Sequence, residues 1–137
     1  MNFKQKYTFE ARQKESSRVL NTYHEKIPII CEKHKTSTIL NIDKNKYLAP
    51  FNISVAQFIY IIRRRMSLPS EKAIFIFING IIPSSSSMLV DYYIQHKDPD
   101  GFLYITFASE NVFGFNCFSR IGSHFRLCDK QELPGRY

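Results

Sequence analysis

The stretch Ser54 to Met66, SVAQFIYIIRRRM, limits the folds open to this chain more than any other. Its spacing predicts one helix. Ser54 is placed to cap the first turn and Gln57 to reach back, a capping box. Ile53, just ahead, can pack on Phe58 as a hydrophobic staple. Val55, Phe58, Ile59, Ile61 and Ile62 form an apolar stripe at helical spacing. Arg63, Arg64 and Arg65 fall in the last turn, where the helix dipole favours cations. Pro50 and Pro69 bound the helix on either side. A helix this apolar must be buried against something, and its flanking segments read as strands.

The 137 residues suit one domain. A composition 44% hydrophobic and 15% aromatic can build a core. The cysteines, Cys31, Cys117 and Cys128, are odd in number, and the first residues, MNFKQKYTFEARQK, lack the apolar core of a signal peptide. The longest apolar run, Ala73 to Ile78, is too short to cross a bilayer. We therefore expect a soluble protein of a reducing compartment without structural disulfides. The net charge of +7 favours acidic partners or marks a solvated basic surface.

Along the chain, Asn2 to Tyr7 is basic and weakly helical at best. Thr8 can cap a second segment, Phe9 to Tyr23, with Phe9, Val19, Leu20 and Tyr23 as a sparse apolar stripe. Ile27 to Glu32 is strand-like, with Ile27, Ile29 and Cys31 facing one way and Pro28 and Ile30 the other. Pro28 suggests a strand start or an exposed edge. Lys33 to Asp43 is polar and irregular. Lys46 to Pro50 reads as a short strand at a sheet edge. Ile74 to Ile78 reads as a strand buried on both faces. Asn79-Gly80 is the strongest hairpin signal, since both residues tolerate positive φ, and Ile81-Ile82 should pair back. Ser87 is a candidate cap for a helix from Met88 to about Gln95. Lys97 to Gly101 is a turn and Phe102 to Phe107 the last strand, with no core pattern after it. Two strands, a packed helix and two more strands make an α+β, β-grasp (ubiquitin-like) arrangement with additional N-terminal helices.

No catalytic set stands out. There is no glycine-rich phosphate loop and no GxSxG elbow. Cys117, His124 and Cys128 lack a fourth ligand at a recognised zinc spacing, so no metal or cofactor is expected. Arg63 to Arg65 with Lys33, Lys35, Lys44 and Lys46 could form a nucleic-acid patch. No recognised motif accompanies them, and a helix C-terminus is the simpler explanation.

Five blocks carry a more specific signal: Pro28 to Lys33 (PIICEK), Asp43 to Pro50 (DKNKYLAP), Val55 to Arg65 (VAQFIYIIRRR), Phe75 to Pro83 (FIFINGIIP) and Phe102 to Phe115 (FLYITFASENVFGF). In order and spacing they resemble the GABARAP and microtubule-associated light chain 3 family of autophagy ubiquitin-like modifiers, across Phe3 to Gly114. The resemblance is closer to the GABARAP branch, from the length of the N-terminal segment and the IRRRM helix end.

The resemblance implies a non-enzymatic modifier made as a precursor. A cysteine protease would cut between Gly114 and Phe115. Activating and conjugating enzymes of the autophagy pathway, using ATP, would then join Gly114 to phosphatidylethanolamine. The protein would be cytoplasmic and move to autophagosomal and other intracellular membranes once lipidated. Glycine suits such a site because a residue without a side chain threads narrow channels, and two acyl chains suffice for stable anchoring. The chain would divide into a modifier domain, 1–114, and a flexible, removable extension, 115–137.

The family also binds receptor and adaptor peptides carrying an aromatic residue, two spacers and an aliphatic one, added as a strand along Lys46 to Pro50. By resemblance, Val19, Pro28, Ile30, Lys46, Leu48 and Phe102 line the aromatic pocket. Tyr47, Pro50, Ile53, Phe58 and Ile61 line the aliphatic one, and Lys46 and Arg65 meet acidic residues of the peptide. Ala49 would enlarge the aliphatic pocket. The extension is longer than usual in the family. Asn21-Thr22 and Tyr23-His24 depart from the family pattern, which leaves tubulin a weaker partner. A non-lipidated trafficking adaptor is the competing reading, and a basic nucleic-acid-binding domain the one from another class.

Overall fold

A computed structural model describes residues 2–34, 45–66 and 73–109. The order is α1 (Phe3–Lys6), α2 (Phe9–Thr22), β1 (Lys26–Lys33), β2 (Lys46–Pro50), α3 (Val55–Met66), β3 (Ile74–Ile78), α4 (Leu89–His96) and β4 (Leu103–Ser109). The four strands form one mixed sheet in the order β2-β1-β4-β3. β1 pairs antiparallel with β2 and parallel with β4, and β3 pairs antiparallel with β4. This is the β-grasp arrangement, with β2 and β3 at its two edges.

The central helix forms as its sequence demands. Gln57 N–H donates to Ser54 Oγ at 3.1 Å, and Ser54 N–H donates to Gln57 Oε1 at 2.7 Å, closing the capping box. Val55, Phe58 and Ile62 are fully buried against the sheet, each stabilising the fold by about 2 kcal/mol. Ile61 does not share that burial. It lies 39% exposed on the flank of the helix, a departure from the apolar stripe that matters for the site below.

Alternation in the strands sorts two clusters. Ile27, Ile29 and Cys31 of β1 join Leu103, Ile105 and Phe107 of β4 and the buried face of α3. Ile30 faces the other way and meets Phe3 of α1 and Phe102, with Tyr104 packed alongside. The N-terminal segment is thus more ordered than its composition suggests. Asn2 and Gln5 form a second capping box, and Phe3 is 5% exposed. Thr8 caps α2 as expected, but Phe9 and Tyr23 are exposed, and the buried face of α2 consists of Ser16 and Val19.

Three further expectations are corrected. Pro28 lies on an interior strand. Cys31 N–H donates to Asn45 C=O on the β2 side, so by alternation Pro28 nitrogen faces β4, whose pairing begins only at Ile29. The proline therefore removes no ladder bond. β3 is buried on both faces as expected, although it stands at a sheet edge. Ser87 does not cap α4: its carbonyl accepts Val55 N–H at 2.9 Å, while Met88 precedes α4 with no side-chain cap. The core pattern continues past Phe107, since β4 reaches Ser109 and Ala108 is buried. Asn79 (φ 51) and Gly80 (φ 78) make the expected tight turn, closed by two hydrogen bonds between Ile78 and Ile81.

The loop before α4 thus supplies acceptors to the start of α3, and the Ser54 side chain supplies another. Ser54→Ala is expected to lower the stability in urea unfolding by about 1 kcal/mol, and Ser87→Ala by much less.

Candidate functional site

β2 is an open edge. Because Asn45 C=O points toward β1, so do the backbone groups of Tyr47 and Ala49, and those of Lys46 and Leu48 turn outward. Side chains alternate in the other sense. Tyr47 and Ala49 face the α3 side, where Ala49 is buried and Tyr47 meets Phe58 ring to ring at 5.9 Å. Lys46 and Leu48 face the side of α2.

Between β2 and α3 lies a pocket of about 170 Å³, lined by Tyr47, Leu48, Ala49, Phe58, Ile61 and Arg65. An enclosed cavity of about 150 Å³ holds a benzene-sized ligand, so this open pocket has room for one side chain of about that size. The helix places Phe58, Ile61 and Arg65 here because positions three and four apart share a face. Phe58 forms the floor at 1% exposure, and Ile61 the open wall. Ala49, a small residue on the floor strand, leaves room that a larger side chain would fill. Of the residues expected at the aliphatic position, Tyr47, Phe58 and Ile61 line this pocket. Pro50 and Ile53 are half-buried beside β2 and α3 without lining it.

On the other face, Val19, Pro28, Ile30 and Phe102 are buried. Phe3 covers Ile30 and Phe102, its ring edge-on to Phe102 at 5.5 Å. Leu48 is 40% exposed. Lys46 Nζ lies 3.7 Å from Glu15 Oε2, and Arg18 holds the same carboxylate at 2.9 Å. The hydrogen bond from Arg18 keeps the Glu15 carboxyl below its usual range, against burial and with help from Lys46. The rim of this face therefore carries both signs of charge.

The N-terminal helices are fastened to the turn before β4 by contacts distant in sequence. Arg12 pairs with the buried Asp100 at 2.5 Å, Tyr104 hydroxyl donates to the same carboxylate at 2.5 Å, and Ser16 hydroxyl donates to Asp100 C=O at 2.5 Å. Lys4 pairs with Asp98 at 2.6 Å, and Phe3 N–H donates to Glu32 Oε2 at 2.7 Å. Burial acts to raise the Asp98 carboxyl, but the Lys4 contact and neighbouring donors hold it below the usual range. The signal available in sequence was the Asp-Pro-Asp-Gly run beside an otherwise polar α2, a long-range pairing that no local spacing reveals.

Among the described residues nothing is arranged for covalent chemistry. Cys31 is fully buried, and burial pushes its thiol far above the ordinary range, the reverse of an activated nucleophile. No group of three or more metal-ligating side chains occurs among the described residues, and no helix there is long and apolar enough to cross a membrane. Gly114, the extension 115–137 with Cys117, His124 and Cys128, and Lys35 and Lys44 lie outside the described residues.

Helix α3 across a four-stranded mixed sheet, with β2 an open edge among the described residues and a crevice beside it, defines a ubiquitin-like module. Residues 11–114 match the family described as "Autophagy protein Atg8 ubiquitin like", and the chain belongs to that family. It is 50% identical over 112 residues to Autophagy-related protein 8 of Kluyveromyces lactis, covering 82% of this chain and 90% of that one. It is 49% identical over 114 residues to the Candida glabrata protein of the same name, covering 83% and 97%. The crystal structure of Trypanosoma brucei ATG8 superposes with a TM-score of 0.78 at 37% identity, covering 80% of this chain and 95% of that one.

Proposed function

We propose that this autophagy protein is a modifier conjugated through Gly114 to phosphatidylethanolamine, and that it recruits receptors and adaptors through the edge of β2. The observation that carries the reading is where the family match stops: its last residue, 114, is a glycine. Hydrolysis of the Gly114–Phe115 bond by a cysteine protease consumes one water and leaves a free carboxylate. After ATP-dependent activation by the pathway's enzymes, that carboxylate forms an amide with the lipid amine. The protein is then cytoplasmic before conjugation and held on autophagosomal membranes after it. The test is the intact mass of the protein recovered from its own cells with autophagy induced. A chain ending at Gly114 with an added lipid mass is expected, and a retained extension in every molecule would favour the non-lipidated adaptor.

Strand geometry supports the recruiting role. A peptide strand bonded to the outward groups of Lys46 and Leu48 points successive side chains to opposite faces. One side chain meets the α2 side and another the pocket beside α3, so the two anchors must be an odd number of residues apart. Three residues span about 10 Å, which suits an aromatic-x-x-aliphatic peptide. Leu48→Ala with Ile61→Ala removes two exposed contacts without opening the core. Calorimetry with such a peptide should show about 100-fold weaker binding at unchanged stability. Unaltered affinity in the folded double variant would rule this groove out. Tyr47 and Phe58 are poorer probes, because both pack into the core.

A further inference from the structure

The spacing that this edge accepts also occurs within the chain itself. Phe58 to Ile61, Phe75 to Ile78 and Phe102 to Ile105 fit it, but they belong to α3, β3 and the start of β4. A fourth, Phe118-Ser119-Arg120-Ile121, lies beyond β4 in the extension. We infer that this segment occupies the β2 edge of its own chain before cleavage, closing the groove to outside peptides. The inference rests on the groove reading above and names its first occupant.

Reach and direction agree with it. Tyr104, Ile30 and Lys46 stand side by side across β4, β1 and β2. β4 runs on past that level to Ser109, toward the end of the sheet at which β2 begins. From Ser109 back to Lys46 is about 10 Å across two strand spacings and about 17 Å along, roughly 20 Å in all. The chain from Ser109 to Phe118 spans up to about 30 Å. Arriving at the Lys46 end, the segment runs alongside β2 in the same direction. Phe118 then meets the Leu48 face, and Ile121, on the opposite face, meets the pocket of Phe58 and Ile61.

Charge makes this occupant weak unless it is tethered. Arg120 sits between the two anchors, whereas Lys46 and Arg65 rim the groove. A free peptide with acidic flanks is electrostatically better matched. The tether compensates. At an effective concentration of about 1 mM, a segment with its own Kd on the order of 100 µM weakens a competing peptide about tenfold. Gly114 lies between Ser109 and Phe118, so the cut that frees its carboxylate also severs the tether. Processing and opening of the groove become one event.

The test uses the full-length chain, as wild type and as Phe118→Ala with Ile121→Ala, both changes lying outside every described element. Fluorescence anisotropy follows a labelled peptide with a Trp-Glu-Glu-Leu core, and sedimentation fixes the oligomeric state. The double variant is expected to bind about tenfold tighter than wild type, with both chains monomeric. Equal, measurable affinities overturn this inference and leave the groove standing. No binding to either chain overturns the groove reading, and this one with it. A wild type that dimerises while the double variant does not assigns the segment to the neighbour's edge and overturns the intramolecular form.

Discussion

Gly101→Ala is expected to cost about 3 kcal/mol, far more than its position in a surface turn suggests. Gly101 has φ 96, in the left-handed region, where a Cβ costs roughly 1–2 kcal/mol. A Cβ built there falls on Ser16 Oγ and reaches Ser16 Cβ at 3.0 Å. Ser16 is 1% exposed, and its hydroxyl holds Asp100 C=O. Displacing it loses a buried hydrogen bond worth about 1–1.5 kcal/mol and loosens α2 from the turn that carries the Arg12–Asp100 pair. Against a typical stability of about 5–15 kcal/mol, that is a large fraction. Gly80→Ala is the control, because Gly80 has φ 78 but nothing within 4 Å of the added Cβ. Urea unfolding should show Gly101→Ala losing at least twice as much as Gly80→Ala. Combined with Ser16→Ala, the loss should fall short of additive by about 1 kcal/mol. Equal losses at the two glycines would mean that the Ser16 contact carries nothing.

The parts of the fold readable in advance were those encoded within a few residues. The Ser54–Gln57 box, the Thr8 cap, the Asn79-Gly80 turn and the two-sided alternation of Ile27 to Cys31 are local rules, and each holds in the structure. The misreadings involve partners distant in sequence. Phe3 is ordered by Ile30 and Phe102, and Arg12 and Ser16 by Asp100. Without these partners α1 and α2 look like polar helices with little to bury. The general preference of proline points to a strand start or an edge for Pro28, and an interior strand accepts it here because β4 pairs only from Ile29 onward.

The candidate site divides along the same line. The crevice beside α3 is built from one strand and one helix adjacent in sequence, which bring Tyr47, Phe58 and Ile61 together. What spacing alone did not separate is floor from wall. Phe58 and Ile61 occupy the same stripe on paper, yet one is 1% and the other 39% exposed. The helix is rotated so that Val55, Phe58 and Ile62 face the sheet and Ile61 faces the crevice. The opposite face drew its residues from α2, β1, β2 and the start of β4. Its covering residue, Phe3, carried no local signal at all.

Gly114→Ala is expected to abolish membrane attachment while leaving stability unchanged. The residue follows β4, which ends at Ser109, and lies outside every described element. Urea unfolding of the wild-type and Gly114→Ala chains side by side separates a loss of conjugation from a loss of folding, and a difference within about 0.5 kcal/mol is expected. The effect on conjugation should be nearly complete. A protease cleft and an activating enzyme that admit glycine pass the backbone through a channel in which a methyl group displaces the reacting carbonyl. Misplacement of about 1 Å costs about 100-fold in rate. Two acyl chains suffice for stable anchoring, and the variant is expected to lack them. A chain truncated after Gly114 should float with membranes from induced cells without needing the protease, and one truncated after Phe113 should stay in the soluble fraction. Wild-type flotation of the full-length Gly114→Ala chain would show that attachment does not run through this glycine. The peptide groove would then stand as the protein's principal working surface, on an adaptor that keeps its extension.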